Sequence, residues 1–509
     1  MVDSIHLLWK RKFLSPAEVV RGLRPVPKRL LCCLEPGYTN GCPGSPCPAC
    51  NHMNGIFFES LTRRAEIGAN SYLLGMGDTR IVLDAGAHPR EEGDESLPRF
   101  EALHPEGIDA AILTHTHLDH AGSLPLLMRE FEEAPVYMTE TTGALVRAML
   151  HNSVNVMGYK RDELGLDDYP LFTHREVDRI APRWEYRQNG RPFAISDEVT
   201  CEFFDAGHIP GSVGALFRYG EQSVFYTGDV NFEDQTLSKG AAFPVDEHVD
   251  TLIMESTRGA YERPEDFCRK GEVLRMAEHI NAALERGGSV LIPVFALGKT
   301  QEVLLMLETL RQDGVIPECP IRIGGLSTKM TKLIDKFAGK TRRHFPNFKI
   351  IPEMDLEDHG RRRRRGRGDI RYRPGCIYAL SSGMMTEKTV SNIFAHGFIH
   401  NPKNALLFVG YAAEDTPARR ILEAATGELV SLDEETSHVE LRCDVAKFDF
   451  SGHATREDLL KYVGDLRPRR VLLVHGDDEA MAWMEAKLRE EYPEIEVAIP
   501  EPEQRIALA

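Results

Sequence analysis

The sequence has no uninterrupted apolar run of the eighteen or more residues that a membrane span requires. Its first residues, MVDSIHLLWKRKFL, carry charge where a secretory leader has its apolar stretch. Both features lead to the expectation of a cytoplasmic protein. Net positive charge is missing as well. At a formal charge of -17 the chain does not coat nucleic acid by overall attraction, although a local basic groove in an acidic protein still binds a polyanion. Cysteine is sparse, ten in all, yet Cys32, Cys33, Cys42, Cys47 and Cys50 fall close together. In a reducing compartment such clustering points to metal more than to disulfides. No internal repeat is present. With 42% apolar and 27% charged residues the balance is that of a globular protein, and 509 residues exceed one ordinary core.

Residues 1–55 read as an appendage. They are basic at first (Lys10, Arg11, Lys12, Arg21, Arg24, Lys28, Arg29) and then rich in Gly, Pro and Cys. From SYLLGMG and TRIVLDAG onward, short apolar strands end in small or polar residues, a device repeated in VTCEFFDAG, SVFYTGD and DTLIMES. After Glu255 the rhythm changes. Strand candidates GSVLIPV, PIRIGG, NFKIIP, GCIYALS and NALLFVGY alternate with helical stretches at 271–286, 299–312 and 387–397, the signature of a mostly parallel sheet covered by helices. Past about residue 440 the earlier style returns. One domain interrupted by a second, and resumed at the C-terminus, accounts for this order. No further domain is expected after the return segment, which would remove one common route to dimers and leave a homodimer open.

The segment AILTHTHLDHAG crowds His115, His117, Asp119 and His120 into six positions directly after an apolar run. Four metal-capable side chains so placed have no packing rationale, since each is costly to bury unpaired. In an extended segment His115 and His117 share a face, while a following turn would aim Asp119 and His120 at a neighbouring position, so one motif loads two adjacent sites. Such sites need ligands from elsewhere. His208 in DAGHIPGS, Asp229 in YTGDVN and His475 in LLVHGDD each follow an apolar run and precede Gly or polar residues. His88, His151, His248 and His279 read as ordinary core or surface histidines.

THTHLDHAG resembles the HxHxDH signature of the metallo-β-lactamase fold, and LDAG, AGHIPGS and TGD resemble its other ordered motifs. Glu255 in MESTRG, His453 in FSGHATRED and His475 in VHGDD are similar to the β-CASP branch of nucleic-acid-processing nucleases. Similarity is greatest to the bacterial and archaeal ribonucleases related to the nuclease subunit of the eukaryotic pre-mRNA 3′-end cleavage factor, over about residues 60–509. The implied fold class is α/β: a metallo-β-lactamase αββα sandwich (56–258, returning at 439–509) with an inserted β-CASP α/β domain (259–438). The resemblance also implies one Zn2+ on His115, His117 and His208, and a second on Asp119, His120 and His475. Asp229 bridges them, and Asp84 orients a ligand histidine. Asp119, Asp229, His453 and its partner Glu255 are the implied catalytic residues.

Two ions suit in-line attack on a phosphodiester, and an acidic partner suits a histidine that supplies a proton to the leaving oxygen. The inserted domain is expected to form a lid over a groove for single-stranded RNA. Ser381, Ser382 and Gly383 in ALSSGMM, placed between a strand and a helical stretch, are candidate phosphate contacts at a helix N-terminus, as are Ser451 and Gly452. An ordinary strand-to-helix turn is the plainer account of ALSSGMM. FALGKTQEV contains Gly-Lys-Thr, but Pro293 stands where a phosphate loop needs Gly, so a plain helix start is expected. Arg258 replaces the family's usual Tyr near the entrance, a change that bears on which nucleotide or terminus is tolerated.

Cys33, Cys42, Cys47 and Cys50 fit a structural zinc, an iron–sulfur cluster, or no ligand at all. HGRRRRRGRGDIRYR, with eight arginines between 361 and 373, is either a solvated surface loop or a phosphate-contacting patch. Alternatives to a ribonuclease are a DNA-processing nuclease of the same branch, which His475 disfavours, and a hydrolase of small esters or thioesters, which the long insertion and His453 disfavour. A catalytically silent scaffold would not retain every ligand position.

Overall fold

Several runs that read as continuously apolar are strands buried on both faces. The computed structural model describes residues 55–104, 106–354, 356–358, 371–433 and 438–508. Cys33, Cys42, Cys47, Cys50 and the arginine run 361–370 lie outside the described residues.

Two seven-stranded mixed sheets stack on each other. The first runs Arg505–Ala507, Ile56–Ser60, Tyr72–Met76, Thr79–Leu83, Ala110–Ile112, Val136–Met138, Trp184–Tyr186 from edge to edge. The second runs Glu496–Ala498, Arg470–Val474, Thr251–Glu255, Gln222–Tyr226, Val213–Tyr219, Val199–Asp205, Phe193–Ala194. Period-two alternation sorts their side chains. Leu74, Ile81 and Ile112 meet Phe203, Phe217, Ile253 and Leu472 between the sheets. Leu73, Val82 and Ala111 instead face the outer layer that includes Val146, Leu150 and Val177 of the helices Glu140–Leu164 and His174–Ile180. On the opposite side, Leu252, Met254, Val471 and Leu473 pack on Leu459, Val463, Met484 and Leu488 of Arg456–Leu466 and Asp478–Glu491. The layer order is thus helix, sheet, sheet, helix.

The insertion builds a third sheet of six parallel strands, ordered Leu356–Asp358, Ile321–Ile323, Ile377–Leu380, Val290–Pro293, Ala405–Phe408, Asp444–Lys447. Apolar layers cover it on both faces, as parallel sheets require. Its last strand lies beyond the expected boundary at 438. The inserted sheet holds the chain until Lys447, six residues before His453.

Helices occur at Arg269–Glu285, Lys299–Gln312 and Val390–His396, close to the expected stretches. NFKIIP is not a strand. Ile350–Glu353 forms a helical turn because the Asp335 carboxylate accepts the N–H groups of Ile350 and Ile351, as a capping side chain does, while Ile350 enters the core. The strand of that unit comes afterwards, at Leu356–Asp358.

Candidate metal centre

Four strands of the second sheet run in the same direction, Val199–Asp205, Gln222–Tyr226, Thr251–Glu255 and Arg470–Val474. Their carboxyl ends deliver His208, Asp229, Glu255 and His475 to one rim. The first sheet supplies the rest, as Ala110–Ile112 leads through His115 and an extended His117 into the short helix Leu118–Ala121. Asp84 and His475, each just past a strand end, have φ of 58° and 51°. That left-handed conformation is uncommon outside Gly and turns both side chains sharply into the site.

His115, His117, His208 and Asp229 offer ligand atoms within 4.8 Å of one another, as do Asp119, His120 and His475. Asp229 lies between the sets. Its Oδ2 is 3.4 Å from His115 Nε2 and 3.5 Å from His208 Nε2, while Oδ1 is 3.2 Å from His120 Nε2 and 3.1 Å from His475 Nδ1. His115 Nε2 and Asp229 Oδ1 are buried without a hydrogen-bond partner among the described residues. Imidazole nitrogens and carboxylate oxygens converging at such distances, two of them without a hydrogen-bond partner, suit cations, and this donor set is that of a metal site.

The opposite ring nitrogens of His120 and His208 are engaged: His120 Nδ1 lies 2.8 Å from Asp84 Oδ2 and His208 Nδ1 is 2.7 Å from the Gly452 carbonyl. His475 Nδ1, which faces Asp229, is also 3.0 Å from Thr257 Oγ1, and its Nε2 lies 3.4 Å from Asp119 Oδ2. Such partners fix ring orientation and tautomer. Burial, reinforced by His115, lowers the pKa of His117 to about 3. Burial and then His453 hold His208 well below the usual histidine range. Burial opposes ionisation of Asp229, but His475, His120 and His115 outweigh it and keep the carboxylate charged. His120 behaves in the opposite sense: burial disfavours its charge, yet Asp229 and Asp84 raise its pKa well above the usual value. A cation held at Nε2 would take the place of that proton.

His453 Nδ1 sits 3.0 Å from Glu255 Oε2, with its ring 4.6 Å from that of His208. Burial works against its protonation, but Glu255 and Asp229 raise its pKa to about 8. Asp229, Glu255 and His453 also form a third group within ligand distance, which the motif reading did not anticipate. Glu255 is held by the Val230 N–H at 2.5 Å and by Thr257 Oγ1.

Ser451 and Gly452 join the site as builders of the loop. The His453 N–H donates to Ser451 Oγ, the Ser451 N–H donates to Asp449, and Asp449 accepts from Arg258 Nη2 at 2.7 Å. Arg258 is therefore not at an open entrance. Its guanidinium is buried, stacks 4.4 Å from the Tyr261 ring and ties the His453 loop to the strand bearing Glu255. Ser381, Ser382 and Gly383 follow their strand as expected, but the next helix starts only at Val390, so they do not sit at a helix N-terminus. Ser382 Oγ instead accepts the Thr386 N–H, and Gly383 packs on Phe295.

Sequence reasoning missed Asn70, whose N–H and Nδ2 both donate to the Asp119 carbonyl, and Tyr226, whose hydroxyl donates to Asp84. It missed Gly86 too: a Cβ there would lie 1.8 Å from the Asp119 carbonyl oxygen. Gly86 and Tyr226 lie inside the motifs LDAG and YTGDVN, and Asn70 directly precedes SYLLGMG.

Residues 65–265 match the metallo-beta-lactamase superfamily, 300–421 the Beta-Casp domain, and 438–500 the Zn-dependent metallo-hydrolase RNA specificity domain. A probable RNase MJ4 of Methanocaldococcus jannaschii is 28% identical over 81% of this chain and 91% of its own length. The transcription termination factor FttA of Methanothermobacter thermautotrophicus is 30% identical over 81% of this chain, which spans 66% of that relative's length. Cleavage and polyadenylation specificity factor subunit 3 of Dictyostelium discoideum is 28% identical over 87% of this chain and 56% of its own. A solved structure of a protein of unknown function from Enterococcus faecalis V583 shares the fold with a TM-score of 0.56 at 13% identity, covering 89% of this chain and 100% of that one. Three matched segments in this order, around a His and Asp cluster that can hold metal, place the chain in the metallo-β-lactamase superfamily in its β-CASP form, a family of metal-dependent hydrolases.

Proposed function

We propose that this chain is a zinc-dependent ribonuclease that hydrolyses phosphodiester bonds of single-stranded RNA with two metal ions. The observation that carries the reading is Asp229, which turns one carboxylate oxygen to His115 and His208 and the other to His120 and His475. His115, His117 and His208 would hold one ion, Asp119, His120 and His475 the other. When bound, such a pair activates water and neutralises charge on phosphoryl oxygens.

The chain's own residues supply what the ions do not. With Nδ1 tied to Glu255, His453 presents its Nε2 proton, and a pKa of about 8 keeps that proton in place at neutral pH for delivery to the leaving oxygen. Arg258, Asp449 and Ser451 hold the loop that aims it. The names of the relatives, an RNase, a termination factor and a cleavage factor subunit, support RNA as the polymer. In this reading the sandwich carries the metals, and the inserted sheet forms the other wall of the substrate groove.

The test is cleavage of matched single-stranded RNA and DNA, labelled at the 5′ end, by zinc-loaded protein and by His453→Ala. RNA cut by the wild type and largely spared by the variant supports the reading, and the ladder separates internal from end-directed cutting. Cleavage of DNA alone, or turnover of a thioester with neither polymer cut, refutes it.

A further inference from the structure

Four neighbouring parallel strands of the inserted sheet, Ile377–Leu380, Val290–Pro293, Ala405–Phe408 and Asp444–Lys447, end on one edge. That edge is turned to the metal lobe. Gly298, just past the second strand, packs against Ile209, the neighbour of His208, and the Lys299 ammonium donates to the Phe450 carbonyl. After the fourth strand the chain runs directly into Ser451, Gly452 and His453. In open parallel sheets, ligands lie against the loops at the carboxyl ends of the strands. Here those loops share one support, because the Phe295 ring lies within 3.5 Å of the Cβ positions of both Gly383 and Gly410.

The residue after Gly410 on this edge is Tyr411, three past the strand Ala405–Phe408, and it is 61% exposed although Val409 is buried. A large aromatic group left in water at a sheet edge that supports a site gains nothing from folding. An exposed ring thus stands on the edge of the inserted sheet whose loops reach Ile209 and His453.

Resting on the ribonuclease reading, we propose that Tyr411 is a base-stacking residue: its ring receives one nucleobase of the single strand. Stacking on an aromatic ring is sequence-tolerant because every base presents a π face. The ring holds the strand in register without choosing among bases.

The experiment is steady-state cleavage of a single-stranded RNA by the zinc-loaded full chain and its Tyr411→Ala, Tyr411→Phe and Tyr411→Trp variants. An abasic nucleotide is then moved along the strand, and anisotropy of the same labelled RNA reads binding. We expect Tyr411→Ala to raise KM roughly 5- to 150-fold, the worth of one base stack, with kcat nearly unchanged. Phe and Trp keep KM within about threefold, since each retains a π face. An abasic nucleotide at one position costs the wild type the same factor and the Ala variant nothing. If the wild type cuts RNA while Tyr411→Ala matches it in KM, or suffers the same abasic loss, the stacking assignment alone is overturned. If the wild type neither cuts nor binds RNA, the ribonuclease reading fails and this proposal falls with it.

Discussion

Replacing Asp84 by Asn separates the charge of the carboxylate from the backbone that carries it. The position has φ 58°, a conformation Asn tolerates well, so the turn survives the change. In the native site Oδ1 accepts the Thr114 N–H at 2.7 Å, while Oδ2 accepts the hydroxyls of Thr114 and Tyr226 and faces His120 Nδ1, each at 2.8 Å. An amide keeps the first oxygen and puts an NH2 group in place of the second. The two hydroxyls can rotate to accept. His120 cannot, unless its proton moves from Nδ1 to Nε2, the atom that faces Asp229 and the metal. One charge-assisted hydrogen bond of this kind is worth about 1.5–3 kcal/mol. Partners of ligand histidines typically change metal affinity by about 10–100-fold. We therefore expect Asp84→Asn to bind the ion of the Asp119, His120, His475 set about 10–100-fold more weakly, with the His115, His117, His208 set much less affected. Equilibrium dialysis against graded chelator, with metal content measured at each step, reads this directly. Both ions held as tightly as in the wild type would refute the role of Asp84.

Other expectations follow from the same geometry. If His453 delivers the proton as proposed, His453→Ala should lower kcat by about 10²–10⁴-fold with metal content unchanged, because the side chain lies outside the two principal ligand sets. In Glu255→Gln the imidazolium loses the carboxylate that overcomes burial, so the alkaline limb of the kcat–pH profile should move to lower pH; a fixed limb would dissociate the pair. Gly86→Ala must displace the Asp119 backbone, and we expect at least about 3 kcal/mol of destabilisation with loss of bound metal, read by thermal unfolding and metal analysis. Burial pushes the Asp205 carboxyl up to about 6, against the Gly207 N–H and Arg342. A native pKa above the unfolded value means that the folded protein holds the extra proton between about pH 4 and 6, so wild-type stability falls as pH rises through that window. After a discount for partial exposure, Asp205→Asn should stabilise by about 1–2 kcal/mol at pH 7 and by nothing near pH 4, as unfolding at the two pH values would show.

The chemistry of this protein is legible from local sequence because metal ligands obey short-range rules. His115 and His117 share a face by the period of an extended chain, and His208, Asp229 and His475 stand out as polar residues directly after apolar strands. The αββα order is partly legible too, since strands buried on both faces must read as apolar runs. What the sequence cannot express is distance between remote segments. Asp229 has two oxygens wherever it stands, and only the stacking of two sheets turns one to each cluster. NFKIIP has strand composition, and a carboxylate fifteen residues earlier in the chain makes it a helical turn. Arg258 is only an unexpected residue in a motif until the return of the chain places Asp449 beside it. The inserted sheet keeps its sixth strand until Lys447 because pairing with Ala405–Phe408 is decided by the partner strand and not by the composition of Asp444–Lys447 itself. The candidate ligands and the strand period are local properties that the sequence determined alone, whereas ring orientations, the placing of the Asp229 carboxylate between the two sets and the exposure of Tyr411 depend on packing between segments hundreds of residues apart, which only the tertiary structure decided.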